Sequence, residues 1–250
     1  MSFLNRIFSK KKEILNPIDL SILKTDLHSH LIPGIDDGSP NMEVTLELLF
    51  KFKELGYSKV ITTPHIMSDY YRNSPKIINK GLKAVRNSLR ENNLNIEIEA
   101  AAEYNLEPAF EDLLKNEDLL TFGKEKYLLF ELSFFNEPPR LNELIWSMKE
   151  KGYTPVLAHV ERYGYWHNNY DKIEEIINRG VKLQLNIGSL TGSYGPEVRS
   201  FAERLVSDEV IEFVGSDCHH IHHLEMIQRA RKLPFFHKLI QQDQILNNKL

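Results

Sequence analysis

The chain is poor in cysteine, has no long apolar run and carries no excess of positive charge. Its single cysteine excludes an internal disulfide framework and is typical of a reducing compartment. No stretch approaches the roughly 20 apolar residues that a membrane helix needs. The formal net charge of -4 argues against a general nucleic-acid binder, which would carry a basic surface. We therefore expect a cytoplasmic protein, and a length of 250 residues favours one large domain.

The N-terminal segment MSFLNRIFSKKK differs in character from the rest of the chain. It is too short and too polar for a secretory signal. One interpretation is an arm that frays or packs on the surface. The other is an amphipathic helix over residues 1–12 that makes weak contact with the inner face of a membrane. We divide the chain into an arm over residues 1–22 and a barrel over residues 23–250. The apolar residues at helical spacing are Phe3, Leu4, Ile7 and Phe8, and Lys10, Lys11 and Lys12 follow them.

Short apolar runs alternate with helical patterns from residue 23 onward. Several runs are nearly continuous in Val, Ile and Leu, which is typical of strands covered on both faces. Alternating strands and helices predict a parallel sheet, and seven such units in one domain favour a closed or nearly closed α/β barrel. The predicted strands are 23–28, 59–63, 96–102, 127–132, 155–159, 182–187 and 211–216.

Capping signals mark the starts of two of the predicted helices. SPNMEVTLELLFKFKELG opens with Ser39 as the N-cap and Pro40 at the first helical position, and it closes at Gly56. SPKIINKGLKAVRNSLRENN repeats this opening with Ser74 and Pro75. The same dipeptide therefore predicts a helix start at both places.

Residue types that bind metals stand at the ends of six of the seven predicted strands. In an α/β barrel the carboxyl ends of the strands meet at one face, where the active site lies. Unpaired carboxylates would repel one another in such a cleft, and cations between them remove the conflict. The sequence therefore predicts a metal site there. The residues at the strand ends are His28, His30, His65, Glu103, Glu131, His159, Asn186, Asp217 and His219.

These donors are imidazoles and carboxylates without a thiolate partner. The set suits Mn²⁺, Fe or Zn²⁺ and disfavours a structural zinc site of the cysteine type. With Asp37 counted and Asn186 left out, nine ligands are too many for one ion and enough for two or three. Such a cluster activates a water molecule and clamps the oxygens of a phosphoryl group during its transfer.

Cys218 is a poor candidate for a nucleophile. It lies between Asp217 and His219, so on a strand its side chain would point away from both. A cysteine phosphatase would need an arginine six positions later, where Leu224 stands. We therefore interpret Cys218 as a small buried residue. Other neighbours of the candidate ligands are interpreted as surface, turn or cap residues: Asp36, His220, His222 and His223.

The motifs DLHSH, DDG, TPH, AAEYN, FELS, LAHVERY and SDCHH occur in the order and spacing of the polymerase-and-histidinol-phosphatase (PHP) superfamily. Within it, GIDDG and AHVERY resemble the bacterial manganese-dependent protein-tyrosine phosphatases of the CpsB/CapC/YwqE type. The resemblance spans about residues 23–232. It implies a distorted (β/α)7 barrel in a single domain, with a trinuclear centre. Mn²⁺ is the expected metal, with Fe or Zn²⁺ as alternatives. The ligands that it implies are His28, His30, Asp37, His65, Glu103, Glu131, His159, Asp217 and His219.

The resemblance also implies an activity and a partner. Phosphotyrosine would be hydrolysed by a metal-activated water, with Arg162 of HVERY as the catalytic arginine that binds the phosphate. Members of this family act on the tyrosine-rich tail of a membrane-bound bacterial tyrosine kinase that controls capsule or exopolysaccharide export. We therefore expect such a phosphotyrosine protein, and no nucleic acid, as the partner.

The substrate pocket is less well defined by the sequence. Family members often carry an arginine just after the last SDxHN motif, but HHIHHLEMI follows it here. Arg72 is a candidate for that second phosphate contact, and the alternative is a solvated loop residue. Tyr163, Tyr165 and Trp166 follow Arg162. They either form an aromatic wall for the phosphotyrosine ring or pack in the interior.

Three rival functions remain open. A small-molecule phosphomonoesterase of the same superfamily, such as a histidinol phosphatase, would share the fold and the metal site. Arg162 and its aromatic neighbours favour phosphotyrosine over that substrate. A polymerase-associated nuclease is disfavoured by the mild acidity of the chain. A non-enzymatic regulator with a degenerate site is disfavoured because all nine ligand positions are intact.

Overall fold

The computed structural model describes residues 15–116 and 119–250, and nine short strands occur in this part of the chain. They form a three-stranded sheet in the order β1-β2-β4 and a six-stranded sheet in the order β3-β5-β6-β7-β8-β9. Every pairing between these strands is parallel. The strands are β1 (Thr25–Asp26), β2 (Lys59–Thr62), β3 (His65–Ile66), β4 (Glu97–Ala100), β5 (Glu103–Asn105), β6 (Tyr127–Glu131), β7 (Thr154–Leu157), β8 (Lys182–Asn186) and β9 (Phe213–Gly215).

Nine strands occur where seven were predicted, because two of the predicted strands are each followed by a further short strand. β3 lies just beyond the predicted strand 59–63, and β5 lies just beyond the predicted strand 96–102. Pro64 lies in the gap between β2 and β3, where its missing N–H cannot join a ladder. β3 and β5 each begin with a candidate ligand, and these two residues, His65 and Glu103, are register partners. The gaps before β3 and β5 therefore fall directly before the site.

The last strand meets the first, and this contact closes the barrel. Ser29 and Cys218 form a parallel bridge just beyond β1 and β9. The backbone N of Asp217 donates to the carbonyl of His28 at 2.8 Å, and that of His30 donates to the carbonyl of Cys218 at 2.9 Å. The predicted distorted seven-stranded α/β barrel in a single domain is thereby confirmed.

Eight α-helices of the described residues accompany the strands. The predicted start of the first helix at Ser39 is wrong by two residues, because Asn41 is the N-cap and its Oδ1 accepts from the backbone N of Val44 at 3.0 Å. The predicted Ser74 cap is found. The helices are α1 (Met42–Glu54), α2 (Pro75–Glu91), α3 (Pro108–Asn116), α4 (Leu141–Glu150), α5 (Asp171–Asn178), α6 (Pro196–Ser207), α7 (Ile221–Ala230) and α8 (Pro234–Ile240).

A small apolar cluster drawn from the barrel strands lies apart from the main core between helices and sheet. Leu246 and Leu250 near the C-terminus pack against it. Buried Asn247 donates to the carbonyls of Thr25 and Val214, so the C-terminal segment joins the first and last strands. This packing supports the site from below. The buried residues of the cluster are Leu27, Ile61, Ala101, Phe122, Tyr127, Leu129, Val156, Ala158 and Phe213.

The described part of the predicted arm packs onto the barrel. The backbone N of Leu15 donates to the carbonyl of Lys232 at 3.1 Å, and that of Ile18 donates to Arg231 at 3.1 Å. Leu20 is fully buried in a short 3₁₀ helix. Residues 15–22 therefore pack against the barrel, while residues 1–12 lie outside the described part. Among the described helices, none has the length and apolarity that crossing a membrane requires.

Candidate metal centre

The nine candidate ligands converge at one mouth of the barrel. Parallel strands bring their carboxyl ends to the same face, so side chains that are distant in sequence meet there. Eight of the nine lie at the ends of strands or at the starts of β3 and β5, and the ninth comes from the loop before α1. They are His28 and His30 after β1, His65 in β3, Glu103 in β5, Glu131 in β6, His159 after β7, Asp217 and His219 after β9, and Asp37 in the loop.

Buried Glu103 lies at the centre of the cluster. Its Oε2 is 3.2 Å from His28 Nε2 and 3.4 Å from His30 Nε2. The same oxygen is 3.2 Å from His65 Nδ1. Its Oε1 is 3.0 Å from His159 Nε2. One carboxylate therefore faces four imidazoles.

Ligand atoms that lie within 4.8 Å of one another form three overlapping groups. His30, His65 and Glu103 each belong to two of the groups, so neighbouring ions bound here would share ligands. Glu103 offers two oxygens to such ions, whereas the neutral ring of His65 has one free lone pair. The groups are His30, Asp37, His65 and His219; His28, His30 and Glu103; and His65, Glu103 and Glu131.

His159 and Asp217 lie beside these groups. Asp217 Oδ1 is 3.5 Å from His28 Nε2. Both residues adopt a left-handed backbone, with φ of 32° for His159 and 50° for Asp217. This conformation is uncommon for residues with a side chain and persists only where surrounding contacts enforce it. The backbone is therefore strained at two candidate ligands.

Two imidazoles are oriented through hydrogen bonds at Nδ1. His28 Nδ1 lies 3.0 Å from Gln184 Oε1, and His30 Nδ1 lies 2.8 Å from Asp36 Oδ2. Because both partners are acceptors, each Nδ1 is placed to donate its proton, which in the neutral ring leaves Nε2 as the atom that would bind a metal. Asp36 also accepts from the backbone N of Gly38, as expected of a turn residue, but its contact with His30 was not predicted.

Two buried amides extend this support across the barrel. Gln184 Oε1 also accepts from the backbone N of His159 at 2.9 Å. Gln184 Nε2 donates to Asn186 Oδ1 at 2.9 Å, and Asn186 Nδ2 donates to Asp217 Oδ2 at 2.8 Å. Asn186, which stands at a strand end, thus holds a candidate ligand in place.

The carboxylates of the cluster favour the protonated, positively charged form of its histidines. Burial by itself lowers the pKa of His28, but Glu103 and Asp217 outweigh it and raise the pKa to about 10. For His65, Glu103 and Glu131 overcome burial in the same way and raise the pKa to about 10. Conversely, burial favours neutral Glu103, yet the nearby imidazoles hold its pKa well below the usual value. Protons and metal ions would compete for this site.

The residues fit a metal centre by a second criterion. Several buried ring nitrogens and carboxylate oxygens that face the cluster have no hydrogen-bond partner among the described residues. Buried polar atoms are nearly always hydrogen-bonded, whereas these atoms have only ion-pair contacts of 3.2–3.4 Å with one another, which fits a site that binds cations. An imidazole and carboxylate set without thiolate suits Mn²⁺, Fe or Zn²⁺. The atoms are His28 Nε2, His30 Nε2, His65 Nδ1, Glu103 Oε2 and Glu131 Oε1.

Asp37 and His219 form the outer edge of the cluster. Asp37 Oδ1 lies 3.5 Å from His219 Nε2, a contact that lowers the pKa of Asp37 to about 2. The backbone N of His219 donates to His223 Nδ1 at 3.0 Å. Burial lowers the pKa of His223 to about 3, which keeps this nitrogen an acceptor. His223 is thus half-buried at the site rather than a surface residue, whereas His222 is exposed as expected.

Arg162 reaches the cluster from a short 3₁₀ helix after β7. Its Nη1 donates to Asp217 Oδ2 at 3.1 Å. Its side chain is 27% exposed, so the guanidinium remains accessible from the pocket. Buried Glu161 accepts from the backbone N of Asn186 and from Ser189 Oγ, which anchors the turn that carries Arg162.

The aromatic residues after Arg162 do not form the expected wall. Tyr163 and Trp166 are buried in the core. The Tyr163 hydroxyl accepts from the backbone N of Leu132, and Trp166 Nε1 donates to Glu137. Tyr165 is partly buried, and its hydroxyl donates to the carbonyl of Ser133. Tyr163 and Trp166 thus pack in the interior and Tyr165 packs against it, which was the alternative interpretation.

Different aromatic residues line the pocket above the cluster. This pocket has a volume of about 400 Å³, and its aromatic lining is Tyr71, Phe134 and Tyr194. The Tyr71 ring stacks on His65 with 5.5 Å between centroids. No motif marks these residues, because each comes from a loop whose path is set by tertiary contacts.

Arg72 and Cys218 also have defined positions. Arg72 is exposed, donates through Nε to the carbonyl of Ser68 at 2.6 Å and is not part of the pocket lining. The structure therefore places it as the solvated loop residue of the alternative interpretation. Cys218 is fully buried, and burial raises the pKa of its thiol well above the usual value. A buried neutral thiol is a poor nucleophile.

Sequence relatives of the chain are tyrosine phosphatases by name. Tyrosine-protein phosphatase YwqE of Bacillus subtilis is 29% identical over 196 residues, which cover 78% of this chain and 77% of YwqE. Tyrosine-protein phosphatase CpsB of Streptococcus pneumoniae is 27% identical over 203 residues, which cover 78% of this chain and 83% of CpsB.

Solved structures extend the comparison. A chain from the crystal structures of YwqE from Bacillus subtilis and CpsB from Streptococcus pneumoniae, described as unique metal-dependent tyrosine phosphatases, matches with a TM-score of 0.78. It is 25% identical, and the match covers 90% of this chain and 94% of that one. An amidohydrolase from Mycoplasma synoviae, 13% identical with a TM-score of 0.54, shares the fold, over 95% of this chain and 91% of that one. Residues 24–234 match the CpsB/CapC family, described as capsular polysaccharide synthesis, and the chain therefore belongs to this family.

Proposed function

We propose that this protein is a metal-dependent protein-tyrosine phosphatase, a phosphoric monoester hydrolase that acts in the control of capsule or exopolysaccharide synthesis. The observation that carries the proposal is the set of seven grouped imidazoles and carboxylates, with His159 and Asp217 beside them and Arg162 at the edge. The relatives named tyrosine-protein phosphatases support the assignment of the substrate. The proposed ligands are the nine residues of the cluster, and the proposed catalytic arginine is Arg162.

The side chains of the site divide the work of phosphate ester hydrolysis. Bound divalent ions would supply Lewis acidity, which lowers the pKa of a coordinated water and neutralises charge on phosphoryl oxygens. Arg162 presents a planar guanidinium that can donate to a non-bridging phosphoryl oxygen. Asp217 fixes this guanidinium from below. The phenolate of tyrosine, with a pKa of about 10, leaves without strong general-acid assistance.

We infer that two or three ions bind, with Mn²⁺ as the physiological metal and Fe or Zn²⁺ as alternatives. The three overlapping ligand groups support this number, and the mixed imidazole and carboxylate donors suit all three metals. Elemental analysis of fully active protein should give at least two ions per chain. One ion or fewer in such a sample would contradict a multinuclear centre.

The function is tested by comparing substrates on protein reconstituted with Mn²⁺, Fe²⁺ or Zn²⁺. A phosphotyrosine peptide should be hydrolysed much faster than a phosphoserine peptide of the same sequence or histidinol phosphate, and chelation should abolish the activity. Faster hydrolysis of histidinol phosphate would instead identify a small-molecule phosphatase. Cleavage of DNA alone would identify a nuclease, and no hydrolysis with any metal would identify a regulator.

We further propose that the substrate is the tail of a membrane-bound bacterial tyrosine kinase, and that the enzyme works in the cytoplasm near the inner face of the membrane. Residues 1–12, which lie outside the described part, would provide weak membrane contact. Arg6 and the three lysines would each contribute about 1 kcal/mol near an anionic surface. Proximity to an anchored substrate raises its effective concentration.

Co-sedimentation with vesicles tests this role of the N-terminal segment. In low salt the full chain should partly pellet with anionic vesicles and remain free with neutral ones. Deletion of residues 1–12 should abolish pelleting and leave hydrolysis of a soluble phosphopeptide unchanged. Equal pelleting of both proteins would show that this segment has no membrane role.

A further inference from the structure

Two aromatic rings flank Arg162 at the pocket. The guanidinium carbon lies 4.7 Å from the centre of the Phe134 ring and 4.7 Å from that of the Tyr194 ring. Phe134 follows β6, and Tyr194 lies between β8 and α6. Both residues line the pocket. Two separate loops therefore bring aromatic faces to the same cation.

Phe134 extends from the metal cluster to the surface. Its ring centroid lies 5.4 Å from that of the candidate ligand His159 and 5.8 Å from that of buried Tyr163. Yet Phe134 is 44% exposed, so much of its ring is free to contact a ligand in the pocket. Covering an exposed aromatic face with another ring is favourable both through burial and through ring geometry.

We propose that Phe134 and Tyr194 are specificity-determining residues that contact the aromatic ring of the substrate and so select aryl over alkyl phosphate esters. This inference rests on the phosphatase function proposed above. A phosphoryl group bound by Arg162 must direct its ester oxygen toward the pocket mouth, because the floor is filled by the buried side chains of His28 and Glu103. The group attached to that oxygen then lies beside the two rings.

Phe134 and Tyr194 have a second possible role, which the experiment has to distinguish from contact with the substrate. A cation near an aromatic face is stabilised, so the rings could simply hold Arg162 in position. Rings that only position Arg162 would affect every phosphate ester equally. Rings that contact the substrate would affect aryl esters and leave alkyl esters nearly unchanged. The ratio of the affinity for an aryl ligand to that for an alkyl ligand therefore distinguishes these roles.

Phenylphosphonate and methylphosphonate are suitable probes because neither is hydrolysed and they differ only in the ring. Their dissociation constants would be measured by calorimetry on the full chain loaded with Mn²⁺. The wild type should bind phenylphosphonate more tightly. In Phe134→Ala and in Tyr194→Ala, binding of phenylphosphonate should weaken about three- to tenfold, while that of methylphosphonate stays within about twofold.

Matched variants control for loss of structure. Phe134→Tyr and Tyr194→Phe keep a ring and should keep the preference. Phe135→Ala removes a neighbouring ring that is 94% exposed and outside the pocket lining, and it should change neither constant. Metal content and thermal unfolding of each variant should match the wild type.

An unchanged ratio of the two dissociation constants in both alanine variants would overturn the inference, whether both phosphonates bind more weakly or neither does. The inference and the proposed function fail in different ways. If the chain were not a tyrosine phosphatase, the wild type would fail to hydrolyse a phosphotyrosine peptide. If only the inference were wrong, that hydrolysis would persist while the ratio of affinities stayed constant.

Discussion

Gln184 accepts a hydrogen bond from Nδ1 of His28 through its Oε1 at 3.0 Å, in the interior of the barrel. The same oxygen accepts from the backbone N of His159. A single buried amide thereby fixes the tautomer of one candidate ligand and the backbone position of another. Residues that orient ligands in this way tune metal affinity nearly as strongly as the ligands themselves.

Replacing Gln184 with leucine should weaken metal binding about 10- to 100-fold, because His28 loses the acceptor that keeps its Nε2 free for a metal. The measurement is a Mn²⁺ titration of the metal-free protein. Gln228→Leu makes the same change at an exposed site on α7 and serves as the control. Unchanged Mn²⁺ affinity in Gln184→Leu would show that the orientation of His28 does not depend on this contact.

Arg162→Ala should lower the turnover of a phosphotyrosine peptide by about 10²-fold or more, by analogy with the loss of an oxyanion-hole donor worth roughly 2.7–4 kcal/mol. Metal content should not change, because Asp217 keeps its hydrogen bond from Asn186. Arg162→Lys should recover only part of the rate, since lysine lacks the planar fork.

A suitable control for the arginine is Arg179→Ala. Arg179 is exposed at the C-terminal end of α5, where it pairs with Glu175. The Arg179→Ala variant should retain wild-type turnover of the phosphotyrosine peptide. Near-normal turnover in Arg162→Ala would mean that another cation binds the phosphate.

Cys218→Ser should leave turnover within about twofold of wild type, whereas His159→Ala should abolish turnover through loss of metal. Serine nearly matches the size of cysteine, and the carbonyl of His220, 3.7 Å from Sγ, can accept its hydroxyl. Steady-state kinetics and metal analysis of both variants check this. A Cys218→Ser protein that is inactive but fully metal-loaded would make the thiol part of the chemistry.

The position of the site could be predicted from the sequence because it depends on a general property of parallel barrels. Apolar runs located the strands, and the residues at their ends had to meet at one face. His28 and Asp217, at opposite ends of the chain, were placed together by this rule alone. Whether each residue binds a metal remains a prediction.

The Ser-Pro signal for a helix start failed where tertiary contacts compete with it. Ser39 and Ser74 both precede proline, but only Ser74 caps a helix. Ser39 is fully buried, and its backbone N donates to the carbonyl of His30. Its Oγ accepts from Thr45 Oγ1 and is therefore tied to the interior. The dipeptide is the same at both sites, and only the surrounding fold distinguishes them.

The pocket walls were unpredictable for a related reason. Adjacency to Arg162 made Tyr163 a candidate, but the 3₁₀ turn after β7 directs its ring into the core. Phe134 and Tyr194 reach Arg162 from two other loops, and no periodicity or motif links them to it. Contacts between loops of an α/β barrel require the path of each loop, which one sequence does not specify.

Barrel closure depends on a buried carboxyl group. Asp26 Oδ1 accepts from the backbone N of Ser216 at 2.8 Å, and Oδ2 accepts from Ser216 Oγ at 2.9 Å. These bonds join the first strand to the segment after the last. Burial raises the pKa of Asp26 from 3.8 to about 7, and the bonds from Ser216 only partly oppose this shift.

Asp26→Asn should therefore be increasingly stable relative to wild type as the pH rises from 4 to 8. Because the pKa of Asp26 is higher in the folded protein than in the unfolded chain, the folded state binds more protons between these values, and wild-type stability falls as the pH rises. Asparagine resembles the protonated acid and does not titrate. The relative gain should reach up to about 4 kcal/mol at pH 8. Equilibrium unfolding in denaturant at several pH values measures it, with exposed Asp208→Asn as the control. A difference in the free energy of unfolding that stays constant with pH would show that Asp26 remains ionised inside the barrel.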